Sequence, residues 1–373
     1  MPERDTVFQL AHAGPSVLAC GAWLKNTVCV TRDDKVYVSQ LIGDLGTPEA
    51  CRMLEQTVVR MCSEYDVQPE IVAHDLHPDF FSTQFAQSYA AERGLPTIAV
   101  QHHHAHITAL CAEHGITGAV LGLALDGVGL GTDGTVWGGE LLQVQGASFE
   151  RIGHLRLLPL PGGDRATQEP WRMAAAALFK LGRGDEITRR YSAEPAASTV
   201  EIMLKRNINC PHTSSMGRVF DAAASLLGLC HKMQFEAQAA IVLEQSAMRY
   251  ICAHGEPLSL PHGWHITPDG QLDLLPLLMQ LVDERDAEYG AALFHTTLVA
   301  ALAEWVHQVS QQSGIVTLAC GGGCFFNKLL AAGLRQYSNA CGIYMLSAQT
   351  MLPGDSAIAL GQAWVAQQYL LQK

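Results

Sequence analysis

The chain has 373 residues, more than a single hydrophobic core usually serves, so we expect two lobes. Apolar residues make up 48% of it and charged residues 16%, which is typical of a well-packed enzyme and excludes a disordered chain. A formal net charge of -12 without a lysine or arginine run argues against nucleic-acid binding. The sequence has no ~18-residue apolar stretch, no signal-peptide pattern and no CxxC pair among its 11 cysteines. We therefore expect a cytoplasmic protein with reduced thiols and no membrane span.

The N-terminal part of the chain alternates strands and helices. Three strand-like segments come first, with a turn at Asp33 and Asp34 between the second and third. A helical pattern from Pro48 to about residue 65, the strand EIVAHD, a second helix near residues 82–93 and the strand PTIAV follow. This alternation predicts an α/β lobe with a mostly parallel sheet. After a histidine-rich helix, the run AVLGLALDGVGLGTDGTVWGGELLQV predicts two strands joined by an Asp–Gly turn.

The texture of the sequence changes after the Pro/Gly-rich stretch at residues 158–163. From residue 167 to residue 313 the pattern is mostly helical, and the strand IVTLAC then leads into a glycine-rich loop and another helix. We therefore predict a first lobe at residues 1–157 and a second, mostly helical lobe at residues 158–355. The last helix, residues 356–373, is expected to pack back onto the first lobe.

The histidines of VQHHHAH give the strongest local signal for function. His102 and His106 are four residues apart, so on a helix they share one face and their imidazoles can converge on one metal ion. A histidine-rich helix cap is the alternative, but four histidines in five residues directly after a buried strand make it the poorer explanation. His103 and His104 lie on other faces of this helix.

Two imidazoles rarely hold a catalytic metal alone, and two aspartates beside glycines are candidates for the other ligands. Asp126 ends the apolar strand LGLAL, at the edge where open α/β sheets bind their ligands. Asp355, in MLPGDSAIALG, stands at the start of the last helix, where an ordinary N-cap is the better explanation from the sequence alone.

Two glycine-rich segments are candidates for phosphate binding. The segment with Gly127 and Gly129 opens a strand and not a helix, which excludes a Rossmann fold. Either its backbone N–H groups approach a phosphate or it is an ordinary hairpin. Gly321, Gly322 and Gly323 follow a buried strand and precede a helix, where the backbone can approach an anion. A tight turn without a ligand is the alternative.

Three polar residues near these segments are candidates for nucleotide contacts. Asn327 lies four residues beyond the triple glycine and could reach the same ligand. Asp221 and Glu236 stand in otherwise apolar helical patterns, and a ribose would satisfy both carboxylates if they are buried. Exposed positions on amphipathic helices are the equally weighted alternative.

Together the motifs resemble the C-terminal half of the hydrogenase-maturation carbamoyltransferases of the HypF family. VQHHHAH, LALDGVGLGTDGTVWGGE, LPLPGGD, SSMGRVFDAAASLLGL, FEAQAA and GDSAIALGQA occur in the family's order, and LKNT, SQLIGDL and AHDLHPDFFST match near the N-terminus. The resemblance runs from about residue 16 to the C-terminus. It extends to the proteins of tRNA threonylcarbamoylation and to antibiotic O-carbamoyltransferases, and it implies their α/β, two-lobed, actin-like ATPase (ASKHA) fold.

The resemblance implies a divalent metal ion. Its ligands would be His102, His106, Asp126 and Asp355, which makes Asp355 more than a cap. Two histidines with two carboxylates suit iron(II), zinc or manganese, and the resemblance favours iron. Lys25, in LKNT, would supply positive charge to the phosphate or the carbamoyl end of a bound substrate.

The resemblance also implies an adenine nucleotide: carbamoyl-adenylate, AMP or ATP. Asp221 and Glu236 would hold its ribose, and the triple glycine with Asn327 would contact its phosphate and base. The chain departs from the family at CGGGCFFNKLL, where SGGVFQNRLL is usual, so Cys324 and Phe326 change the lining near the adenine. It also has FEAQAA where YEGQAA is common, which is expected to tighten the ribose pocket.

The activity implied by the resemblance is carbamoyl transfer from carbamoyl-adenylate to the C-terminal cysteine of the partner protein HypE. In the family a YrdC-like domain makes the adenylate from ATP and carbamoyl phosphate. Since none of the motifs belongs to such a domain, we expect this chain to transfer but not to activate. O-carbamoylation of a small hydroxylated molecule and a non-catalytic nucleotide-binding scaffold are the alternatives. AHDLHPDFFST and SQLIGDL argue against the first, and the intact ligand set argues against the second.

Overall fold

The computed structural model describes residues 5–372 of the chain. Within this range the strands form one five-stranded and one nine-stranded sheet, with helices packed around both. The first elements in chain order are β1 (Thr6–Gly14), β2 (Val17–Ala19), β3 (Cys29–Val38), α1 (Pro48–Glu64), β4 (Ile71–Asp75), α2 (Phe81–Arg93), β5 (Thr97–Val100) and α3 (His102–His114).

The first sheet has the order β1-β3-β2-β4-β5. Its β3 doubles back as a hairpin, because the backbone N–H of Ser39 donates to the carbonyl of Val28 at 2.8 Å. Asp33 makes the turn with a φ of 54°, which confirms the predicted position. One half of β3 pairs antiparallel with β2 and the other half with β1, while β2, β4 and β5 run parallel.

The remaining elements build the second sheet, its helices and the last helix. They are β6 (Val120–Leu130), β7 (Val136–Gln145), β8 (Ser148–Leu155), β9 (Leu158–Pro159), α4 (Arg165–Gln168), α5 (Pro170–Lys180), α6 (Ile187–Arg190), α7 (Ala197–Arg206), β10 (His212–Thr213), α8 (Met216–Leu226), α9 (Gln238–His254), β11 (His265–Ile266), β12 (Gln271–Asp273), α10 (Leu275–Val282), α11 (Ala287–Ser313), β13 (Thr317–Gly321), α12 (Lys328–Ala340), β14 (Tyr344–Leu346) and α13 (Ile358–Leu371).

The second sheet repeats the plan of the first. Its antiparallel strands β8-β7-β6 adjoin β13 and β14, which run parallel to β6. This duplicated α/β architecture is the two-lobed actin-like fold predicted from the sequence. Residues 120–155 had been assigned to the first lobe, but their strands belong to the second sheet because β6 pairs with β13. The change to a mostly helical sequence pattern near residue 158 therefore occurs inside the second lobe.

Helix α3 lies between the two sheets. It packs against β6, β7 and β13 on one side and against α13 on the other, and residues 102–112 are all buried. Gly361 permits the close approach of α13, since a Cβ there would lie 1.9 Å from the carbonyl oxygen of Ala105. Helix α13 in turn packs on β2, β3 and β4, so the last helix closes the first lobe.

Two further properties concern the chain between residues 5 and 372. None of its helices combines the length and apolar character needed to cross a bilayer. Its eleven cysteines are free thiols, of which six are buried, three are partly buried and two are exposed. Burial raises the pKa of the core thiols Cys20, Cys29 and Cys320.

Candidate active site

Four side chains from distant parts of the sequence converge between the lobes. His102 and His106 come from the first turns of α3, Asp126 from β6, and Asp355 from the turn before α13. Each histidine Nε2 lies 3.5 Å from Oδ2 of Asp126 and 3.6 Å from Oδ1 of Asp355. One ligand atom from each of the four residues lies within 4.8 Å of all the others. The sequence predicted these four residues as one set, and the structure brings them together.

The chemistry of this cluster fits a divalent cation. The Nε2 atoms of His102 and His106 are buried and have no hydrogen-bond partner among the described residues. Such an atom costs about 1–3 kcal/mol unless it finds a partner. Separations of 3.5–3.6 Å are close to those between ligands that share one ion at about 2.1 Å. Two carboxylates beside two neutral imidazoles also carry the charge that balances a divalent ion.

Local backbone features place the ligands. The register of β6 against β7 shifts between Leu125 and Gly129, where residues 126–128 of β6 lie opposite the single residue Gly138 of β7. This bulge turns Asp126 toward the cluster. Gly323 donates its backbone N–H to Oδ1 of Asp126 at 3.0 Å, which leaves Oδ2 for the histidines. Gln101 caps α3 by accepting the N–H of His104, and this fixes the first turn.

Asp75 is a further candidate residue of the site, which the sequence analysis did not single out. It ends β4, and its Oδ2 lies 2.9 Å from Nδ1 of His102, while its Oδ1 accepts the N–H of His77. A carboxylate on the far nitrogen fixes the ring orientation and the tautomer of a metal-binding histidine. The available signal was its position as the acid that ends a buried parallel strand, the same signal that singled out Asp126.

The electrostatics of the cluster are those of a tightly coupled set. Burial lowers the pKa of His102, but the carboxylates of Asp126, Asp355 and Asp75 outweigh burial and hold that pKa well above its ordinary value. Burial likewise raises the pKa of Asp126, and the two histidines reverse this and hold it well below its ordinary value. Asp126 is therefore ionised, and His102 holds a proton unless a metal ion at Nε2 takes the place of that proton.

The N-terminus of α8 is attached directly to the bulge in β6. Ser215 donates its hydroxyl to the carbonyl oxygens of Asp126 and Gly127, at 2.9 and 2.6 Å, and accepts the N–H of Arg218. A Cβ on Gly217 would lie 3.0 Å from the Cα of Gly127, so this contact requires glycine. The helix that carries the predicted ribose ligand thus begins beside the metal cluster.

Asp221 is buried in α8, which decides between the buried and exposed positions that the sequence left open. Its Oδ2 lies 2.7 Å from Nε of Arg218. The two groups form an ion pair, but the geometry at these atoms is not that of a hydrogen bond. Burial raises the pKa of Asp221 to about 6, although Arg218 opposes the shift. Arg218, itself buried to about nine-tenths, is a second residue that the sequence analysis missed. In the sequence, the feature that points to Arg218 is its position three residues before Asp221, on the same face of the helix.

The predicted phosphate-binding glycines have contacts of another kind. Gly127 and Gly129 lie within β6, and the turn to β7 comes later. Gly129 makes room for a histidine, since a Cβ there would lie 2.6 Å from Cε1 of His103. Gly322 has a φ of 102°, and its Cβ would lie 2.3 Å from the carbonyl oxygen of Leu125. Phosphate binding by these segments therefore stays a prediction. Their observed contacts are with residues next to the four candidate metal ligands.

Further contacts of the triple glycine and of Asn327 are with the protein itself. A Cβ on Gly321 would lie 3.0 Å from the carbonyl oxygen of His106. Asn327 is the N-cap of α12, where Oδ1 accepts the N–H of Leu330 and Nδ2 donates to His295. Both ends of this amide are engaged, so the expected contact of its side chain with a ligand would require an exchange of partners.

Glu236 differs from the expectation of a buried helical acid. It precedes α9, its side chain is 64% exposed, and both its oxygens lie 2.7 Å from Nζ of Lys25. The pair joins the first lobe to the second. Burial lowers the pKa of Lys25, but the carboxylate of Glu236 outweighs burial, so the pKa of Lys25 is raised. Ala237, next to Glu236, has a φ of 59°, a left-handed conformation that favours glycine. The alanine that replaces the family's glycine is therefore strained.

Comparison with known proteins shows the family to which the chain belongs. Residues 12–113 match the model of the HypF Kae1-like domain, and residues 122–362 match its second subdomain, described as carbamoyltransferase. Carbamoyltransferase HypF2 of Cupriavidus necator is 51% identical over 97% of this chain and 48% of its own length. A carbamoyltransferase HypF homolog of the same organism is 52% identical over 94% of this chain and 91% of its own length.

Solved structures give the same result. Full-length HypF in its phosphate- and nucleotide-bound form is 33% identical over 98% of this chain and 48% of that chain, with a TM-score of 0.89. HypF of T. kodakarensis is 28% identical over 99% of this chain and 49% of that chain, with a TM-score of 0.87. The chain thus spans about half the length of the full-length HypF proteins that it matches.

The fold and the site define a Kae1-like domain of the carbamoyltransferase class. The chain belongs to the HypF family of carbamoyltransferases. The lobe division of the family models, between residues 113 and 122, coincides with the change from the first sheet to the second.

Proposed function

We propose that this chain transfers a carbamoyl group from carbamoyl-adenylate to the C-terminal cysteine of HypE, a step in the maturation of NiFe-hydrogenase. The observation that carries the proposal is the convergence of two imidazoles and two carboxylates between the lobes. Membership of the HypF family supports carbamoyl chemistry. The phosphate- and nucleotide-bound state of a solved HypF supports an adenylate donor.

The metal would be held by His102, His106, Asp126 and Asp355, with Asp75 orienting His102. Iron(II) is our first choice by family resemblance, and zinc is the alternative. When bound, the ion supplies a Lewis acid that polarises the carbamoyl carbonyl or the leaving phosphate oxygen. The buried surroundings of the cluster exclude water from the carbamoyl group, which would otherwise be hydrolysed.

The nucleotide would be held mainly by the second lobe. Asp221 would accept hydrogen bonds from the ribose hydroxyls, and Arg218 adds positive charge at the start of α8. Lys25 and Glu236 engage each other across the lobes, and an entering adenylate would take over this contact, with its ribose on Glu236 and its phosphate or carbamoyl end on Lys25. Asn327 would fix the start of α12 beside the base.

In the transfer the acceptor thiolate attacks the carbamoyl carbonyl carbon. A C–S bond forms, the C–O bond to the phosphate breaks, and AMP leaves with the bonding electron pair, while the thiol proton passes to solvent. The products are a thiocarbamate and AMP, so no redox partner is required. Positioning the adenylate and the thiol together accounts for much of the rate enhancement in such a step.

The decisive experiment supplies labelled carbamoyl-adenylate to the purified chain and HypE. The adenylate is added directly or made by a separately expressed YrdC-like domain from ATP and labelled carbamoyl phosphate. We expect label on HypE, none on HypE without its terminal cysteine, and none with the His106→Ala chain. His265→Ala, an exposed position on β11, is the matched control and should retain transfer.

Each contrary outcome has a distinct meaning. Label on a small hydroxylated acceptor and none on HypE would favour O-carbamoylation, and nucleotide binding without any transfer would favour a scaffold. This chain alone, given ATP and carbamoyl phosphate, should release no pyrophosphate. Carbamoyl-phosphate-dependent release of pyrophosphate would show that it also activates.

A further inference from the structure

The segment between β14 and α13 delivers Asp355 to the metal cluster. Residues 347–354 have no regular secondary structure, so the position of the Asp355 carboxylate depends on what holds this backbone. The end nearest Asp355 is held by the carbonyl of Pro353, which accepts the N–H of Gly322 at 2.9 Å. The middle of the segment is held from α3.

Glu113, in the last turn of α3, accepts three consecutive backbone N–H groups of this segment. Oε2 accepts from Gln349 at 3.1 Å, and Oε1 accepts from Thr350 at 2.9 Å and from Met351 at 2.6 Å. The adjacent His114 contacts the carbonyl oxygen of Ser347 through Nε2 at 2.9 Å. Successive N–H groups that enclose one carboxylate form an anion nest, so the conformation of the segment is coupled to the negative charge of Glu113.

The position of the Glu113 carboxylate in the last turn does not stabilise helix α3. The C-terminal end of a helix carries partial negative charge, which disfavours an acid in the last turn by about 0.3–1 kcal/mol. Contacts with the segment offset that cost. Helix α3 therefore bears His102 and His106 at its start and, at its end, the group that holds the segment leading to Asp355.

We propose that Glu113 is a positioning residue for the metal ligand Asp355. It fixes the backbone of residues 349–351 so that the carboxylate of Asp355 lies 3.6 Å from both histidine Nε2 atoms. The proposal rests on the metal site described above. Removing the nest charge releases the segment, so Asp355 must be ordered when the metal binds and the affinity for the metal falls.

The test is a double-mutant cycle on the affinity of the metal-free full chain for Co²⁺ or Zn²⁺ alone, measured by calorimetry. Glu113→Gln keeps the size of the side chain but loses the charge and one acceptor oxygen. We expect the dissociation constant to rise about tenfold, the low end of the effect of removing a group that orients a metal ligand. In an Asp355→Ala background the same change should alter affinity by less than about twofold, since the ligand that it positions is gone.

Two controls separate positioning from a general effect on folding. Glu55→Gln, on the exposed face of α1, makes the same charge change and should leave metal affinity unaltered. Glu113→Asp keeps the charge that the three N–H groups enclose and should retain more metal affinity than Glu113→Gln. The melting temperature of the metal-free protein should differ little between the parent and Glu113→Gln.

The outcomes that overturn the proposal are specific. Equal metal affinities of the parent and Glu113→Gln would exclude a positioning role. An equal loss in the parent and Asp355→Ala backgrounds would mean that Glu113 acts on the fold and not through Asp355. A parent protein that binds no metal would refute the metal site itself, which is distinguishable from the first two results.

Discussion

Asp221 is expected to couple nucleotide binding to pH. Burial raises its pKa to about 6, so the carboxylate changes charge between pH 5 and pH 8. Only the ionised form presents both oxygens as acceptors to the two ribose hydroxyls, and hydrogen bonds to a charged acceptor are the stronger ones. Adenosine is the suitable probe, because it has the ribose but no phosphate group that titrates in this range.

The size of the effect follows from the pKa. With a value of about 6, roughly a tenth of Asp221 is ionised at pH 5 and nearly all of it at pH 8. The affinity for adenosine should therefore rise about tenfold from pH 5 to pH 8, or about 1.4 kcal/mol. Asp221→Asn removes the charge, so binding at pH 8 should weaken by about 1–3 kcal/mol, or roughly 5- to 150-fold.

The same pKa has the opposite consequence for folding. Because the folded-state value lies above the ordinary 3.8, the proton stabilises the fold at low pH, and this contribution is lost as pH rises through about 6. Ionised Asp221 does not stabilise the fold at pH 8. Weaker binding by the Asn variant at pH 8 therefore reports a lost ligand contact.

The assay is calorimetric titration of adenosine at pH 5, 6, 7 and 8. Burial raises the pKa of the neighbouring thiols Cys230 and Cys324, so neither thiol ionises in this range. Asp185→Asn, at an exposed position, controls for the change of charge. Binding by the parent that does not vary with pH, or an Asn variant with parental affinity, would refute the assignment of Asp221 to the ribose.

Three other predictions concern the metal cluster and the strained turn. Elemental analysis should find one metal per chain after reconstitution with iron or zinc, and His106→Ala should lower the occupancy far more than His103→Ala; equal losses would contradict the ligand assignment. Asp75→Asn should weaken metal binding about 10–100-fold in the same titrations, and an unchanged affinity would mean that the ring needs no partner. Ala237→Gly should raise the free energy of unfolding by about 1 kcal/mol in denaturant titrations, whereas Ala240→Gly, inside α9, should lower it by a similar amount; destabilisation by the first change would show that Ala237 is not strained.

The metal cluster was accessible from the sequence because its signals are local. An i, i+4 histidine pair on a helix, an acid at a strand end and an acid before a helix can each be recognised within a few residues. The resemblance then joined Asp355 to the set, since no spacing rule connects it with His102 over so long a distance. The alternation of strands and helices likewise predicted the α/β class, and the two lobes followed from length and family resemblance.

Features that depend on tertiary contacts were not accessible. The sequence does not reveal that β6 pairs with β13, so the lobe boundary was placed about forty residues too late. Nor does it reveal that Glu236 precedes its helix and meets Lys25, because apolar neighbours on both sides resemble a buried helix. The sequence left Gly129 open between a phosphate contact and a hairpin, and it does not reveal that the ring of His103 fills the space beside this residue.

The placement of α13 on the first sheet has a consequence for the order in which the molecule is assembled. Three of the four proposed metal ligands precede most of the second lobe in the chain, but Asp355 and the helix that closes the first lobe follow it. The first lobe therefore cannot complete its packing until α13 has been synthesised, since domains fold as their parts become available. A nascent chain that stops before Asp355 lacks the fourth of the proposed ligands, so the complete site forms only after both lobes have been made.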